Sequence, residues 1–368
     1  MDNTLNRTIV LEKQERETIY DWLRLIATIF VVIGHSAYLN IQTTYGGVAY
    51  ELPAAIDKVY NAGFLSWCRF MASWVYGFHM PLFFMLSGAV LALRPLKSFD
   101  SIVRGKVKRL LIPYFVYGWL FMLPVKRLGN FYTNESLISA LKGFLSGQDS
   151  GHLWFLIALF WCILVFCACK KLFEKIGINS IYLLLFLCGA IQLLYGYLPF
   201  DILGLKTGLS YIFYFSIGYV FEVERHKNDK WNIYKILFAI LILLFIEVIN
   251  NKYWMLNGFF VIMIGSFLTY LLANLCNRLF HVSDKKLWNF VIRNLFYVYL
   301  LHDPLNYIVL RIFIGNDYLT SALGCYLYTF FRTVFIFLIT LLAGECIGII
   351  KKKGNLLINN IRVKDKLK

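Results

Sequence analysis

The most restrictive feature of this sequence is a series of apolar stretches, each near the length that a helix needs to cross a lipid bilayer. About 20 mostly apolar residues suffice for one crossing. Ten candidate stretches cover residues 19–40, 71–93, 108–125, 152–169, 178–198, 207–221, 233–250, 255–274, 288–313 and 320–350. Only 16% of the 368 residues are charged, against about 25% in soluble domains. The sequence therefore predicts an all-α fold, a polytopic membrane helix bundle of about ten transmembrane helices.

Lysine and arginine are distributed unevenly between alternate connections. With the N-terminus placed in the cytoplasm, the cytoplasmic segments contain 26 of these residues and the outer connections seven. Because basic residues are retained on the cytoplasmic side, this distribution predicts that both termini are cytoplasmic. The net charge of +16 then indicates contact with the anionic lipid bilayer, and no nucleic acid partner is expected. Residues 1–368 are predicted to form a single membrane-embedded domain, with a polar N-terminus (1–18) and a basic tail (351–368).

The first apolar stretch carries ionisable side chains, which are costly inside a bilayer and are therefore candidate functional residues. Asp21 and Arg24 are three residues apart and can pair on one helix face. His35 follows Arg24 by eleven residues, which places it on the same face about 16 Å further along the axis. A structural ion pair with a hydrogen-bonded histidine would give the same pattern, so this stretch alone leaves both interpretations open.

Four of the six histidines are predicted to lie at one level of the bundle. His35, His79, His152 and His302 all fall in its outer half or at its outer surface. Each alone has an ordinary explanation in helix packing, but together they predict a polar cavity that opens outward. Histidine is suited to general-base catalysis on a hydroxyl group near neutral pH.

A basic connection precedes the third apolar stretch, on the opposite side of the membrane from the histidines. Arg104, Lys106, Lys108 and Arg109 lie close together in it. They form an ordinary cytoplasmic anchor or, alternatively, a site for a polyphosphorylated cofactor, since guanidinium and ammonium groups match phosphate oxygens. The eight cysteines include no CxxC pair, and no metal site is expected.

These segments together resemble acyltransferase family 3, the bacterial membrane O-acyltransferases. The resemblance runs in order through Arg24 to His35, Phe78-His79-Met80-Pro81-Leu82-Phe83-Phe84 to Ser87-Gly88, Arg109 to Pro113-Tyr114, His152-Leu153-Trp154-Phe155 and Tyr299-Leu300-Leu301-His302. It implies a ten-helix bundle in the bacterial cytoplasmic membrane. It also implies transfer of an acyl group, usually acetyl, from cytoplasmic acyl-CoA to a hydroxyl group of a surface carbohydrate or glycolipid.

The arginine and histidine of the family's first helix correspond to Arg24 and His35. His35 is expected either to deprotonate the acceptor hydroxyl or to accept the acyl group transiently. The candidate catalytic residues are His35, Arg24, Asp21 and His302. The candidate residues for acetyl-CoA or another acyl-CoA are Arg104, Lys106, Lys108, Arg109 and Ser87. The candidate residues for the acceptor are His79, His152, Trp154 and Tyr299.

A transporter of a polysaccharide or a lipid-linked sugar is the alternative function. Ten crossings and charges within the membrane suit a transporter as well. The sequence shows no pair of matching interrupted helices, which favours the acyltransferase. Binding or turnover of acetyl-CoA distinguishes the two functions.

Overall fold

The fold is known from a computed structural model, which describes residues 18–37, 40–43, 46–49, 58–129, 136–228, 241–242, 258–280, 282, 285–312 and 322–366. Most of the described chain is helical. Its helices, in chain order, are α1 (Thr18–Ser36), α2 (Lys58–Ala92), α3 (Phe99–Lys106), α4 (Ile112–Tyr117), α5 (Leu123–Leu128), α6 (Leu137–Ser146), α7 (Trp154–Lys175), α8 (Ile181–Leu194), α9 (Leu205–Leu209), α10 (Ile212–Asn228), α11 (Gly258–Leu279), α12 (Lys286–Ile312) and α13 (Ala322–Lys366).

The predicted helical class is confirmed, with one small departure in the connection after α1. There β1 (Asn40–Thr43) and β2 (Gly46–Ala49) pair as an antiparallel hairpin. The all-α prediction includes no strand there. Each strand has four residues, which is at the lower limit at which alternation of polar and apolar residues can reveal a strand.

Five segments of the described chain are long and apolar enough to cross a membrane. They are Thr18–Ser36, Trp74–Ala92, Ile138–Lys175, Gly258–Leu279 and Tyr326–Gly354. Each overlaps one of the ten predicted stretches, whereas the predicted stretch 233–250 lies almost wholly outside the described residues. The count of ten crossings and the cytoplasmic placement of both termini stay predictions.

Helix α12 corresponds to the predicted stretch 288–313 but is not one of those five segments. It is 27 residues long, and its polar residues Arg293, His302 and Asp303 lower its mean hydropathy. His302 and Asp303 are only 1% and 3% exposed. Because polar groups between helices do not meet lipid, this helix is polar where it faces its neighbours in the bundle.

The chain from α3 to α5 is a continuous helical run with two π-helical turns, Val107–Leu111 and Gly118–Met122. A π turn accommodates an extra residue, so it changes the direction of the side chains that follow, and such turns are frequent at functional sites. The first turn lies within the basic connection and contains Arg109. The second is followed by Lys126, whose side chain is buried.

Helices α2 and α10 approach so closely that only glycine fits at their contact. A Cβ atom added at Gly88 would lie 1.9 Å from the carbonyl oxygen of Phe215, and one added at Gly218 would lie 1.9 Å from that of Met85. Small residues allow such close packing between membrane helices. This contact holds α2 in the position from which it contributes to the cavity described below.

We expect Gly88→Ala to lower the melting temperature of the protein in detergent, because the added methyl group meets backbone that cannot rotate away. Overpacking of this kind costs about 1–3 kcal/mol. Gly348→Ala is the matched control, since Gly348 also lies in a helix and nothing approaches its Cβ position within 4 Å. Equal melting temperatures for the two variants would contradict the close packing.

Candidate active site

A cavity of about 780 Å³ lies within the bundle, lined by residues of α1, α2, α7 and α12 and of the run from α3 to α5. Its volume is that of a small-molecule site. The cavity brings together ten of the thirteen candidate residues, namely Arg24, His35, His79, Ser87, Lys106, Arg109, His152, Trp154, Tyr299 and His302. The other three, Asp21, Arg104 and Lys108, are not among its lining residues.

The cavity has a basic end and a histidine end. Two contacts show that helices α1 and α12 run parallel. Near the starts of the two helices the ring centroids of Trp22 and Trp288 are 4.4 Å apart, and further along both helices His35 contacts Asp303. Arg24 precedes His35 by eleven residues on α1, a rise of about 16 Å. Arg293 likewise precedes His302 and Asp303 on α12. One continuous cavity therefore joins cationic groups to imidazoles.

Asp303 is the centre of the histidine end. Its Oδ1 atom lies 2.9 Å from Nδ1 of His35, and its Oδ2 atom lies 3.3 Å from Nδ1 of His152 and 3.9 Å from Nζ of Lys126. The carboxylate is 3% exposed and Lys126 is 4% exposed. Three groups on three different segments thus converge on one buried carboxylate.

Asp303 and Lys126 are not among the site residues predicted from the sequence. Asp303 is the residue after His302 and is an acidic group inside a predicted membrane stretch, which was sufficient reason to include it. Lys126 was counted among the basic residues of an outer connection. Its burial depends on the second π turn and on the packing of α5 against α12, which periodicity does not reveal.

The contacts of His35 place a proton on one ring nitrogen. Its Nδ1 atom donates to Asp303 at 2.9 Å, and its Nε2 atom lies 2.8 Å from the hydroxyl oxygen of Tyr76. In the neutral ring Nε2 accepts from this hydroxyl, and in the protonated ring it donates to it. A carboxylate on one ring nitrogen selects the tautomer whose other nitrogen carries the lone pair. That second nitrogen is bonded to Tyr76, which itself lines the cavity. Tyr76 is not among the site residues predicted from the sequence.

His302 lies between the other two imidazoles. Its ring centroid is 4.7 Å from that of His35 and 5.4 Å from that of His152, both edge to face. Its Nδ1 atom lies 3.0 Å from the carbonyl oxygen of Val298 and 2.9 Å from that of Tyr299. Carbonyl oxygens only accept, so Nδ1 holds the proton and Nε2 carries the lone pair. Among the described residues Nε2 has no hydrogen-bond partner.

His152 and Tyr299 tie the start of α7 to α12. The Nε2 atom of His152 lies 3.0 Å from the carbonyl oxygen of Leu300, and the Tyr299 hydroxyl donates to the carbonyl oxygen of His152 at 2.7 Å. These bonds cross between segments distant in sequence. The Tyr299 hydroxyl is therefore engaged in holding the wall of the cavity, although its ring still lines it.

His79 and Trp154, both candidates for acceptor binding, lie on the cavity wall. Nδ1 of His79 donates to the carbonyl oxygen of Val75 at 2.7 Å, which leaves Nε2 as its acceptor nitrogen. The Trp154 ring packs against that of Tyr211 at 5.6 Å. Aromatic rings and an acceptor nitrogen beside the three imidazoles suit a ligand that carries hydroxyl groups.

At the basic end, the structure separates the members of the predicted cluster. Lys106 and Arg109 line the cavity, whereas Lys108 is exposed and Arg104 pairs with Asp100 at 2.8 Å on the surface. Residues three apart share a helix face, which accounts for the presence of both Lys106 and Arg109 in the cavity lining, although Arg109 is also exposed. Burial lowers the pKa of the Lys106 ammonium below its usual value, and the Arg109 guanidinium lowers it further.

The predicted pairing of Asp21 with Arg24 is confirmed, with 3.9 Å between Oδ1 and Nη1. Asp21 is buried, and the Arg24 side chain extends to the cavity. Ser87 also lines the cavity and donates to the carbonyl oxygen of Phe83 at 2.8 Å. The cationic groups at this end are thus Arg24, Lys106, Arg109 and Arg293, of which Arg293 also pairs with Glu345 at 2.6 Å.

Arg332 of α13 fixes the end of α1. Its guanidinium donates to Asn306 Oδ1 at 2.8 Å and to the carbonyl oxygens of Ser36 at 3.1 Å and His35 at 3.3 Å, and the residue is 0% exposed. Carbonyls at a helix C-terminus lack helical partners and attract cations. Sequence reasoning gave Arg332 no role, because its function depends on contacts far apart in the chain.

The arrangement is suited to proton transfer. Within the described ranges, no group of three or more His, Cys, Asp or Glu residues is arranged to hold a metal ion. A histidine that is held by a carboxylate on one nitrogen and presents the other to a cavity is the arrangement used for general acid–base chemistry. The cationic groups at the other end of the same cavity suit phosphate.

Comparison with known proteins gives one family match and one distant relative. A sequence profile described as an acyltransferase domain, that of acyltransferase family 3, matches residues 18–344. The chain is similar to the nodulation protein NolL of Sinorhizobium fredii, with 26% identity over 217 residues, 58% of this chain and 51% of that protein. The chain therefore spans about half the length of this relative. No solved structure matches the chain.

Proposed function

The chain belongs to acyltransferase family 3, and we propose that it moves an acyl group, normally acetyl, from cytoplasmic acyl-CoA to a hydroxyl group of a cell-surface carbohydrate or glycolipid. The proposed location is the bacterial cytoplasmic membrane, crossed many times. The observation that carries this proposal is the cavity that joins Lys106 and Arg109 to the His35–Asp303 pair. An O-acyltransferase needs a site for a polyanionic donor and a base for a hydroxyl group, and one cavity supplies both.

The basic end is the proposed donor site. Lys106, Arg109 and Arg24 would hold the phosphates of acyl-CoA, because charge-assisted hydrogen bonds from ammonium and guanidinium groups are the strongest contacts that side chains offer to phosphate. The lowered pKa of Lys106 is consistent with an ammonium that gains from an anionic neighbour. The apolar wall between the two ends, with Leu86 and Leu159, suits an acyl-pantetheine arm.

The histidine end is the proposed site of chemistry. Asp303 holds His35 in the tautomer whose Nε2 faces the cavity, and this nitrogen is already bonded to a hydroxyl group, that of Tyr76. The Tyr76 oxygen marks a position that an acceptor hydroxyl could take. We propose that the acyl group passes directly from the thioester to the acceptor hydroxyl, with His35 taking part in the proton transfer. Arg332, through the carbonyls of His35 and Ser36, keeps the end of α1 in place.

Turnover of acetyl-CoA tests this function against transport. The full chain in lipid nanodiscs is given radiolabelled acetyl-CoA with an extract of surface glycans, and free CoA and labelled glycan are measured. Cells with and without the gene are compared by mass spectrometry of surface glycans for a lost acetyl mass. Protein that neither binds nor consumes acetyl-CoA would favour the transporter instead.

We expect Lys106→Met to raise the Kd for acetyl-CoA about tenfold or more, because a hydrogen bond between charged groups contributes about 1.5–3 kcal/mol. Lys108→Met is the matched control. Lys108 lies two residues from Lys106 and its side chain is exposed outside the cavity. Its replacement removes the same charge, so it measures only the long-range electrostatic contribution to acetyl-CoA binding. Isothermal titration in detergent gives both constants. Equal increases would place the phosphates outside the cavity.

A further inference from the structure

Acyl transfer from a thioester to a hydroxyl group requires two proton movements. The hydroxyl group loses a proton as its oxygen attacks the acyl carbon, and the departing sulfur gains one as the carbon–sulfur bond breaks. One histidine can carry the proton from one atom to the other, or two histidines can divide the work. The histidine end holds two adjacent imidazoles, His35 and His302, whose surroundings differ in a way that bears on this choice.

His302 has the surroundings of a neutral base. Its proton is held on Nδ1 by the carbonyl oxygens of Val298 and Tyr299, and its Nε2 atom is buried without a hydrogen-bond partner among the described residues. A buried acceptor without a partner is destabilising. It is satisfied when a ligand in the cavity donates a hydrogen bond, as a hydroxyl group does.

His35 has the surroundings of an acid. Its Nδ1 atom lies 2.9 Å from the Asp303 carboxylate, which attracts positive charge on the ring. Its Nε2 atom contacts the Tyr76 hydroxyl, whose oxygen is able to accept a hydrogen bond as well as to donate one. The same contact therefore suits the protonated ring. Two titratable groups placed in opposite surroundings are the usual sign of separate acid and base roles.

We propose that His302 is the base and His35 the acid in the transfer, an inference that rests on the proposed function. The Nε2 atom of His302 takes the hydroxyl proton while the oxygen–carbon bond forms. The Nε2 atom of protonated His35 gives its proton to the sulfur as the carbon–sulfur bond breaks, and free thiol leaves. A proton then returns from His302 to His35. The centroids of these two rings are 4.7 Å apart. The overall reaction converts a hydroxyl group and a thioester into an ester and a free thiol.

Two matched variants separate these roles. His302→Asn keeps an amide nitrogen near the position of Nδ1, where it can still donate to the carbonyls of α12, and it removes Nε2. His35→Asn likewise keeps a donor for Asp303 and removes Nε2. Each variant is compared with the wild type as a ratio of rates, so differences in substrate binding largely cancel. Melting temperatures and acetyl-CoA binding in detergent confirm that both variants are folded.

The ratios are measured with two acceptors and two donors. The acceptors are ethanol and the more acidic 2,2,2-trifluoroethanol, and the donors are acetyl-CoA and the acetyl thioester of 4-nitrothiophenol, whose thiolate leaves without a proton. Loss of a general base costs about 10²–10⁴-fold. We expect the His302→Asn deficit with ethanol to shrink about tenfold or more with trifluoroethanol, and the His35→Asn deficit to shrink similarly with the aryl thioester. The His302→Asn deficit should not change between the two donors, and the His35→Asn deficit should not change between the two acceptors.

Other patterns overturn the division of labour. The His35→Asn deficit could shrink both with the more acidic alcohol and with the aryl thioester, while the His302→Asn deficit changes with neither. In that case His35 alone carries the proton from the hydroxyl group to the sulfur. A uniform deficit in His302→Asn, or a wild-type rate that does not respond to the acidity of the alcohol, also overturns it. A wild-type protein that neither binds nor consumes acetyl-CoA refutes the proposed function itself, and this inference with it.

Discussion

Replacing His35 with alanine should abolish acyl transfer while leaving the protein folded and able to bind acetyl-CoA. The expected loss is about 10³-fold or more, because the variant removes proton transfer together with the group that Asp303 orients. Acetyl-CoA should still bind, since Lys106 and Arg109 lie at the other end of the cavity. Rates are measured with radiolabelled acetyl-CoA, and binding is measured by titration in detergent.

Tyr76→Phe is the companion variant for this prediction. It removes the hydroxyl group that contacts Nε2 of His35 and retains the imidazole. We expect a loss at least tenfold smaller than that of His35→Ala, because the absent hydrogen bond contributes only about 0.5–1.5 kcal/mol. Normal transfer by His35→Ala would refute the mechanism, and a loss of acetyl-CoA binding in that variant would show that the two ends of the cavity are not independent.

The features that could be predicted from the sequence are those that depend on local periodicity. The shared face of Asp21, Arg24 and His35 follows from 3.6 residues per turn within one helix. The grouping of His79, His152 and His302 with His35 followed from the order of the apolar stretches and the distribution of basic residues. Neither prediction required knowledge of which helices are in contact.

The features that could not be predicted depend on contacts between distant segments. Asp303 is central because α1, α5 and the turn before α7 each direct one group at it. Its position in a membrane stretch marks it as a candidate residue, but nothing in the sequence of α12 reveals these neighbours. Lys126 is buried beside it and not exposed in an outer connection. Arg332 meets the end of α1 across almost 300 residues of chain. Pairings of this kind are set by packing, which has no signature in a single sequence.

The basic connection shows how helix geometry divides a group of residues that composition treats as one. Four cationic residues are predicted together for the donor, and only Lys106 and Arg109 line the cavity. These two are three residues apart and share a helix face, whereas Arg104 and Lys108 are four apart and share another.

The second large effect is expected at Asp303, where replacement by asparagine should affect both catalysis and stability. Asparagine preserves the shape of the side chain but cannot select the His35 tautomer, and loss of an orienting carboxylate from a histidine pair costs about 10⁴-fold in rate. The same change leaves Lys126 without this buried carboxylate. Removing one partner of a buried ion pair costs up to about 3–5 kcal/mol. We expect a lower melting temperature in detergent.

A second substitution separates these two effects. Lys126→Met in the Asp303→Asn background removes the ammonium group that has lost this counter-charge, so the melting temperature should return toward that of the wild type. The rate should stay low, because His35 still lacks the carboxylate that fixes its tautomer. If the double variant recovered activity, Asp303 would serve only to balance Lys126. If the rate stayed low while stability recovered, the Asp303 carboxylate would act on His35, as the 2.9 Å contact between them indicates.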